Sequence, residues 1–170
     1  MDITQLILDD HAEQRRLFAM LEQIDRSDTE ALSAVWGRLA AFLDVHAEAE
    51  EQHFYPALLR LGEGAGDKDD AAEETDDAID DHNEIRDAVA AVAEHPAGSD
   101  AWFEAVAAAN KANSTHLAEE EREGLADFRR NASLETRHEL AVAFASFQTR
   151  HVTGVEPVNK DPEEYIAEHE

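Results

Sequence analysis

The sequence predicts an all-α protein, an up-down-up-down antiparallel four-helix bundle with a short extra C-terminal helix and a tail. Three observations carry that expectation. Apolar residues return at three- and four-residue steps along four long segments. Alternating, β-rich runs are missing. Each segment stops at a short cluster of Gly, Pro, Ser, Asp or Asn. With 170 residues, 43% of them apolar, the chain has the size of one ordinary domain and enough apolar side chains to bury a core.

The first segment, Ile3 to Ile24, sets Ile7, His11, Phe18 and Leu21 on one stripe. Arg26-Ser-Asp-Thr29 breaks it, with Ser27 or Asp28 as the next N-cap. The second, residues 30 to 61, carries Leu32, Val35, Leu39, Phe42, His46, Glu50, His53, Ala57 and Leu61 inward. Pro56 removes one helical hydrogen bond there and should kink its end. Gly62-Glu-Gly-Ala-Gly66 stops it. The third, residues 70 to 94, turns Ile79, His82, Ile85, Val89 and Val92 inward, and His95-Pro96-Ala-Gly98-Ser99 closes it. The fourth, residues 100 to 130, does so with Trp102, Val106, Ala109, Asn113, His116, Glu120 and Leu125. These four make residues 1–130 the bundle. In residues 131–170, a helix at 134–150 has only the narrow stripe Leu140, Phe144, Phe147, so it should pack on the outside; the rest, with Pro157 and Pro162, reads as a tail.

Charge and composition exclude several classes. A net charge of −26 argues against nucleic-acid and anionic-membrane partners, which demand a basic surface. It reads instead as a heavily solvated surface, suited to a salty cell interior. Without Cys there are no disulfides, thiolate sites or Cys nucleophiles. The acidic N-terminus is unlike a signal peptide, and no run of 18 apolar residues is present, so a soluble cytoplasmic protein is expected.

The informative feature is where four histidines fall relative to the turns. In an antiparallel hairpin, residues equidistant from the turn share a height. The midpoint of His11 and His46 is near Asp28, that of His46 and His82 is Gly64, and that of His82 and His116 is Ser99. All three lie in breaks, so one His from each helix enters a single buried layer, expected about 26 Å from either end of the bundle. Glu50 and Glu120 each follow a His by one turn on the same face. A single His on an apolar face ordinarily satisfies a local hydrogen bond. Four at one height, with two inward carboxylates, would be ruinous in a dry core without cations. A pair of Fe or Mn ions bridged by the two carboxylates meets that cost.

Twelve bonds around two six-coordinate metals would take four from His, four from bridging Glu and two from an oxo or hydroxo bridge. His53, three residues after Glu50, is a candidate for one of the two left, or else a hydrogen-bonding neighbour; Tyr55 is a less well aimed oxygen donor.

The order His11, His46-x3-Glu50-Glu51, His53-Phe-Tyr-Pro56, Asp81-His82 and His116-x3-Glu120-Glu121 resembles hemerythrin-like proteins of the HHE cation-binding type, over roughly residues 3 to 130. The resemblance implies two iron ions held by His11, His46, Glu50, His82, His116 and Glu120. It departs in two places. Oxygen-carrying hemerythrins look to have a His-x3-His pair on the third helix, where this chain has Ala78 and Arg86 around His82, and Glu120-Glu-Arg-Glu-Gly-Leu125 lacks the His-Phe-Tyr-Pro ending of the first motif.

Among the other polar residues, Glu51, Glu119, Glu121 and Glu123 read as solvated faces, with Glu51 or Glu121 alternatively buttressing a ligand His. His95 eases a helix C-terminus, His138, His151 and His169 lie outside the layer, and Asn113 is either a satisfied core amide or a neighbour of the site. The expected function is capture of O2, NO or peroxide for scavenging, sensing or storage. The alternatives are a catalase- or peroxidase-like enzyme, with Tyr55 or Trp36 relaying electrons, and iron handling.

Overall fold

The computed structural model describes residues 1–169 as helices joined by short connections: α1 (Ile3–Gln23), α2 (Thr29–His53), α3 (Tyr55–Leu61), α4 (Ala71–Val92), α5 (Asp100–Arg122), α6 (Gly124–Asn131), α7 (Leu134–Arg150) and α8 (Pro162–His169). Side-chain caps start six of them. Asp2, Asp28, Asp70, Ser99, Ser133 and Asp161 each accept a hydrogen bond from a backbone N–H in the first turn of the helix that follows, worth about 1 kcal/mol apiece. Of the two candidate caps in the first break, Asp28 takes the role. In the glycine loop, Gly64 and Gly66 have φ of 87° and 68°, conformations open to glycine at no steric cost.

Two long segments are broken rather than continuous. The second divides at Phe54, two residues before Pro56, where the proline ring would meet the carbonyl of the preceding turn. The fourth divides at Glu123, whose φ and ψ of −109° and −92° are not helical. Gly124 follows it and packs against Leu58 and Phe54, with little space left for a side chain.

The long helices α1, α2, α4 and α5 form a closed ring of neighbours: α1 on α2, α2 on α4, α4 on α5 and α5 on α1. Helix α7 lies outside the ring, on α1 and α2, and buries Ala141, Phe144 and Phe147, with Leu140 of the expected stripe only half-buried. The tail is a correction. It ends in a helix that packs on α4 and α3 and buries Tyr165. A proline pair and high polarity concealed it, but Pro162 stands at the first position of α8, where its missing N–H costs nothing.

The apolar core is in two parts. One gathers Ile3, Ile7, Val45, Ala49, Phe54, Leu58, Ile79 and Phe128; the other gathers Leu17, Phe18, Leu39, Leu43, Ile85, Trp102 and Val106. On α1 and α4 the change from one to the other falls at the histidine, on α2 it falls just before His46, and on α5 the second part ends before His116. The polar layer therefore divides the core, but off-centre, because α1 starts at Ile3, about 12 Å of helix before His11. Among the described residues no helix is long and apolar enough to cross a membrane.

Candidate metal centre

Each ring helix delivers one buried histidine: His11, His46, His82 and His116 are all at most 3% exposed. Their Nε2 atoms point inward. His46 Nε2 lies 3.0 Å from Glu50 Oε1, His82 Nε2 lies 3.3 Å from Glu50 Oε2, and His11 Nε2 lies 3.2 Å from Glu120 Oε2. His82 and His116 bring their Nε2 atoms to 3.1 Å of each other. Two clusters result, His11–His46–Glu50 and Glu50–His82–His116, and Glu50 belongs to both.

The outward nitrogen of every ring meets a carboxylate. The Nδ1 atoms of His11, His46, His82 and His116 lie 2.9, 3.1, 2.8 and 3.3 Å from Glu121, Asp10, Glu51 and Asp81. A carboxylate on Nδ1 places the proton there and leaves the Nε2 lone pair facing the centre. Three of these acids are themselves held: Asp10 by Gln148 of α7, Glu121 by Arg15, and Glu51 by Arg86 and Lys160.

Cations fit this arrangement. His11 Nε2, His46 Nε2, both oxygens of Glu50 and Glu120 Oε2 are buried and make no hydrogen bond, although they stand 3.0–3.3 Å from a neighbouring donor atom. They aim at common points rather than at one another. Donors about 2.1 Å from a six-coordinate ion sit ~3 Å apart at right angles, which is the spacing found. Orphaned buried acceptors are otherwise rare and costly.

The charges support one another. Burial alone would push the Glu50 carboxyl up, but the imidazoles of His46 and His82, 3.0 and 3.3 Å from its oxygens, hold it well below the usual range. Burial would lower His46 and His82; Glu50 and Asp10 keep His46 well above its ordinary value, and Glu50 and Glu51 bring His82 up to about 9. Glu51, against its own burial, is brought down to about 2 by His82, Arg86 and Lys160.

Of the expected site residues, His11, His46, Glu50, His82, His116 and Glu120 converge. His53 is in neither cluster: half-buried, its ring stands 5.9 Å from Phe147 of α7, and burial lowers its pKa. Tyr55 is wholly buried and donates its hydroxyl to Glu120 Oε1 at 2.7 Å, while burial and the Glu120 charge raise its pKa well above the ordinary value and keep it a phenol. Asn113 donates to Gln14 at 3.0 Å, forming a buried amide pair one turn from His116 and His11.

Glu51 and Glu123 are not on solvated faces; both are at most 5% exposed. Asp10 and Gln14 escaped sequence reading, and Asp81 entered it only as part of the Asp81-His82 motif, without a role. For the two acids a signal exists, since each immediately precedes a ligand-type histidine. His138 is exposed as expected, while His151 and His169 are half-buried against Phe147 and Tyr165.

The family model described as the hemerythrin HHE cation binding domain matches residues 2–127, which include every residue of the two clusters and all four Nδ1 carboxylates. No curated protein and no solved structure gives a match. With inward imidazoles and carboxylates from all four ring helices inside the matched span, the chain belongs to the hemerythrin HHE cation-binding family.

Proposed function

We propose that this chain is a non-haem di-iron protein that captures O2, NO or H2O2 for scavenging, sensing or storage. The observation that carries the reading is Glu50, whose two oxygens face different histidine clusters and so suit a bridge between two ions. The ring helices are read as up-down-up-down, residues 1–130 holding the ions and residues 131–170 bracing them. The ligands are His11, His46, Glu50, His82, His116 and Glu120. Two iron ions there would supply electrons and open coordination positions; manganese is compatible with the same donors.

The protein's own groups do the rest. The four Nδ1 carboxylates orient the rings, and Tyr55 keeps a proton on a hydroxyl held against Glu120. Two apolar cores limit water around the layer. With His53 set against Phe147 and α4 contributing one imidazole, coordination positions stay available to a small ligand.

Metal analysis with an absorption spectrum tests this. The expected result is about two irons per chain, from the two clusters. A chain that binds no iron after anaerobic Fe(II) loading sinks the proposal. Exposure of the reduced protein to air then separates roles: a lasting, reversible O2 adduct marks a carrier, irreversible oxidation excludes one, and steady consumption of peroxide or NO marks an enzyme.

A further inference from the structure

Beside the centre, between α3, α4, α5 and α6, lies a narrow cavity of about 20 Å³, room for one water molecule or one small ion. At its inner end stand His116, Glu120 and Tyr55 of the centre. Its wall also carries Asp81, Glu74, Glu123, Asp77 and Glu119, and no Lys or Arg. Asp77 and Glu119 lie toward solvent, whereas Glu74 and Glu123 are 5% exposed. Lys68 pairs with Asp77 and Arg122 with Glu123. Among the described residues Glu74 and Glu119 have no ion-pair partner.

A row of acids alone would be a solvated face. Glu74 makes this one different. Its Oε1 accepts the Ala65 N–H at 2.8 Å, but its buried Oε2 has no N–H donor among the described residues, and the carboxyl stands beside a second carboxylate, Asp127. A buried carboxylate oxygen without a donor, lining a cavity of ionic size, has a cation as its natural partner. Two residues of the centre, Glu120 and His116, line the same cavity.

We propose that this carboxylate-lined cavity is the route by which a divalent cation reaches the centre, with Glu119 and Asp77 collecting the ion at the mouth and Glu74 holding it in transit. The inference rests on the metal-centre reading and adds its loading path. Uncharged O2 or NO gains nothing from such a wall, whereas a focused negative field raises the arrival rate of cations.

The test follows Co(II) uptake by metal-free protein in stopped-flow absorbance, with final stoichiometry by metal analysis. The double variant Glu74→Gln, Glu119→Gln is compared with Glu84→Gln, Glu104→Gln, which removes equal charge from exposed positions on the same two long helices. The route predicts loading slowed by about tenfold at low ionic strength in the first pair and nearly unchanged in the second, with the full complement bound at the end and the gap shrinking as salt is raised. Glu119→Gln alone, at a half-buried position, should slow loading in the same direction and covers the case in which the double variant does not fold. Equal rates in the two pairs overturn the route. So does slow loading with a reduced final stoichiometry, which would make these acids part of the centre instead. Wild-type protein that takes up no Co(II) overturns the metal-centre reading itself, and the route with it.

Discussion

The hairpins α1–α2 and α4–α5 are built alike and defended differently. In the first, Asp10 precedes His11, and His46 is followed by Glu50 and Glu51; in the second, Asp81 precedes His82, and His116 is followed by Glu120 and Glu121. Each Asp reaches the other His of its own hairpin, and each second Glu reaches across to the first His of the opposite one. Even the arginines correspond: Arg15 holds Glu121 as Arg86 holds Glu51. The side-chain exposures do not. Arg86 and Glu51 are at 4% and 0%, Arg15 and Glu121 at 46% and 30%. The difference comes from the chain terminus, since Lys160 pairs with Glu51 and the Tyr165 hydroxyl donates to the Glu51 carbonyl. One set of interactions, placed twice, is sealed on one side and open to solvent on the other. A charge pair gains strength as water leaves it, so His82 should be the more firmly positioned ring.

The largest expected effect tests what the two halves share. Glu50→Ala removes the only side chain common to both clusters and should lower bound metal from about two equivalents to below about one; metal analysis showing no loss would break the picture of a shared bridge. Next comes the asymmetry itself. Glu51→Gln should weaken metal binding by ~10–100-fold, while Glu121→Gln, screened by solvent, should cost less than about threefold. Competitive chelator titration measures both, and equal losses would mean that burial of the pair has no consequence. Removing residues 157–170 should carry the sealed Glu51–His82 side toward the open Glu121–His11 side, weakening affinity by up to ~10-fold with helix content otherwise kept; an unchanged titration would show that the tail seals nothing.

The smallest effect concerns the far ends of the hairpins. Eight residues before His11 stands Ile3; eight before His82 stands Glu74, a buried acid whose pKa is raised to about 7 by burial and by the neighbouring Asp127. Folded protein therefore binds more protons than unfolded protein between about pH 4.5 and 7, and its stability falls as pH rises through that window. Glu74→Gln should raise Tm of the metal-free chain at pH 8 by about 2–4 °C, equivalent to ~1 kcal/mol after allowance for solvent screening. The gain should vanish below about pH 4.5, where the wild-type carboxyl is protonated in both states. Thermal unfolding at the two pH values decides it; a gain that persists at low pH would assign the effect to packing instead.

The residue order was enough to foresee the four long helical segments, the loops between them and the histidine layer. Helical periodicity and hairpin symmetry are local rules, and they place His11, His46, His82 and His116 at one height before any packing is known. The same periodicity misled where partners came from another element. Asp10, Glu51, Asp81 and Glu121 sit one residue from the inward stripe, about 100° around the helix, and a single helix gives no sign that its neighbour will cover that flank. Glu123 read as part of a continuous helix, because the bend at Gly124 follows from how closely α6 approaches Phe54 and Leu58. The tail was least legible. Lys160 and Tyr165 have no periodic pattern to declare them, and their role exists only once α8 lies against α4 and α3. Sequence by itself turned His11, His46, Glu50, His82, His116 and Glu120 inward and left His53 open, since facing depends on spacing along one chain direction. Tertiary structure alone decided which carboxylate steadies each ring and which half of the centre is sealed, since both depend on surfaces from separate elements excluding water together.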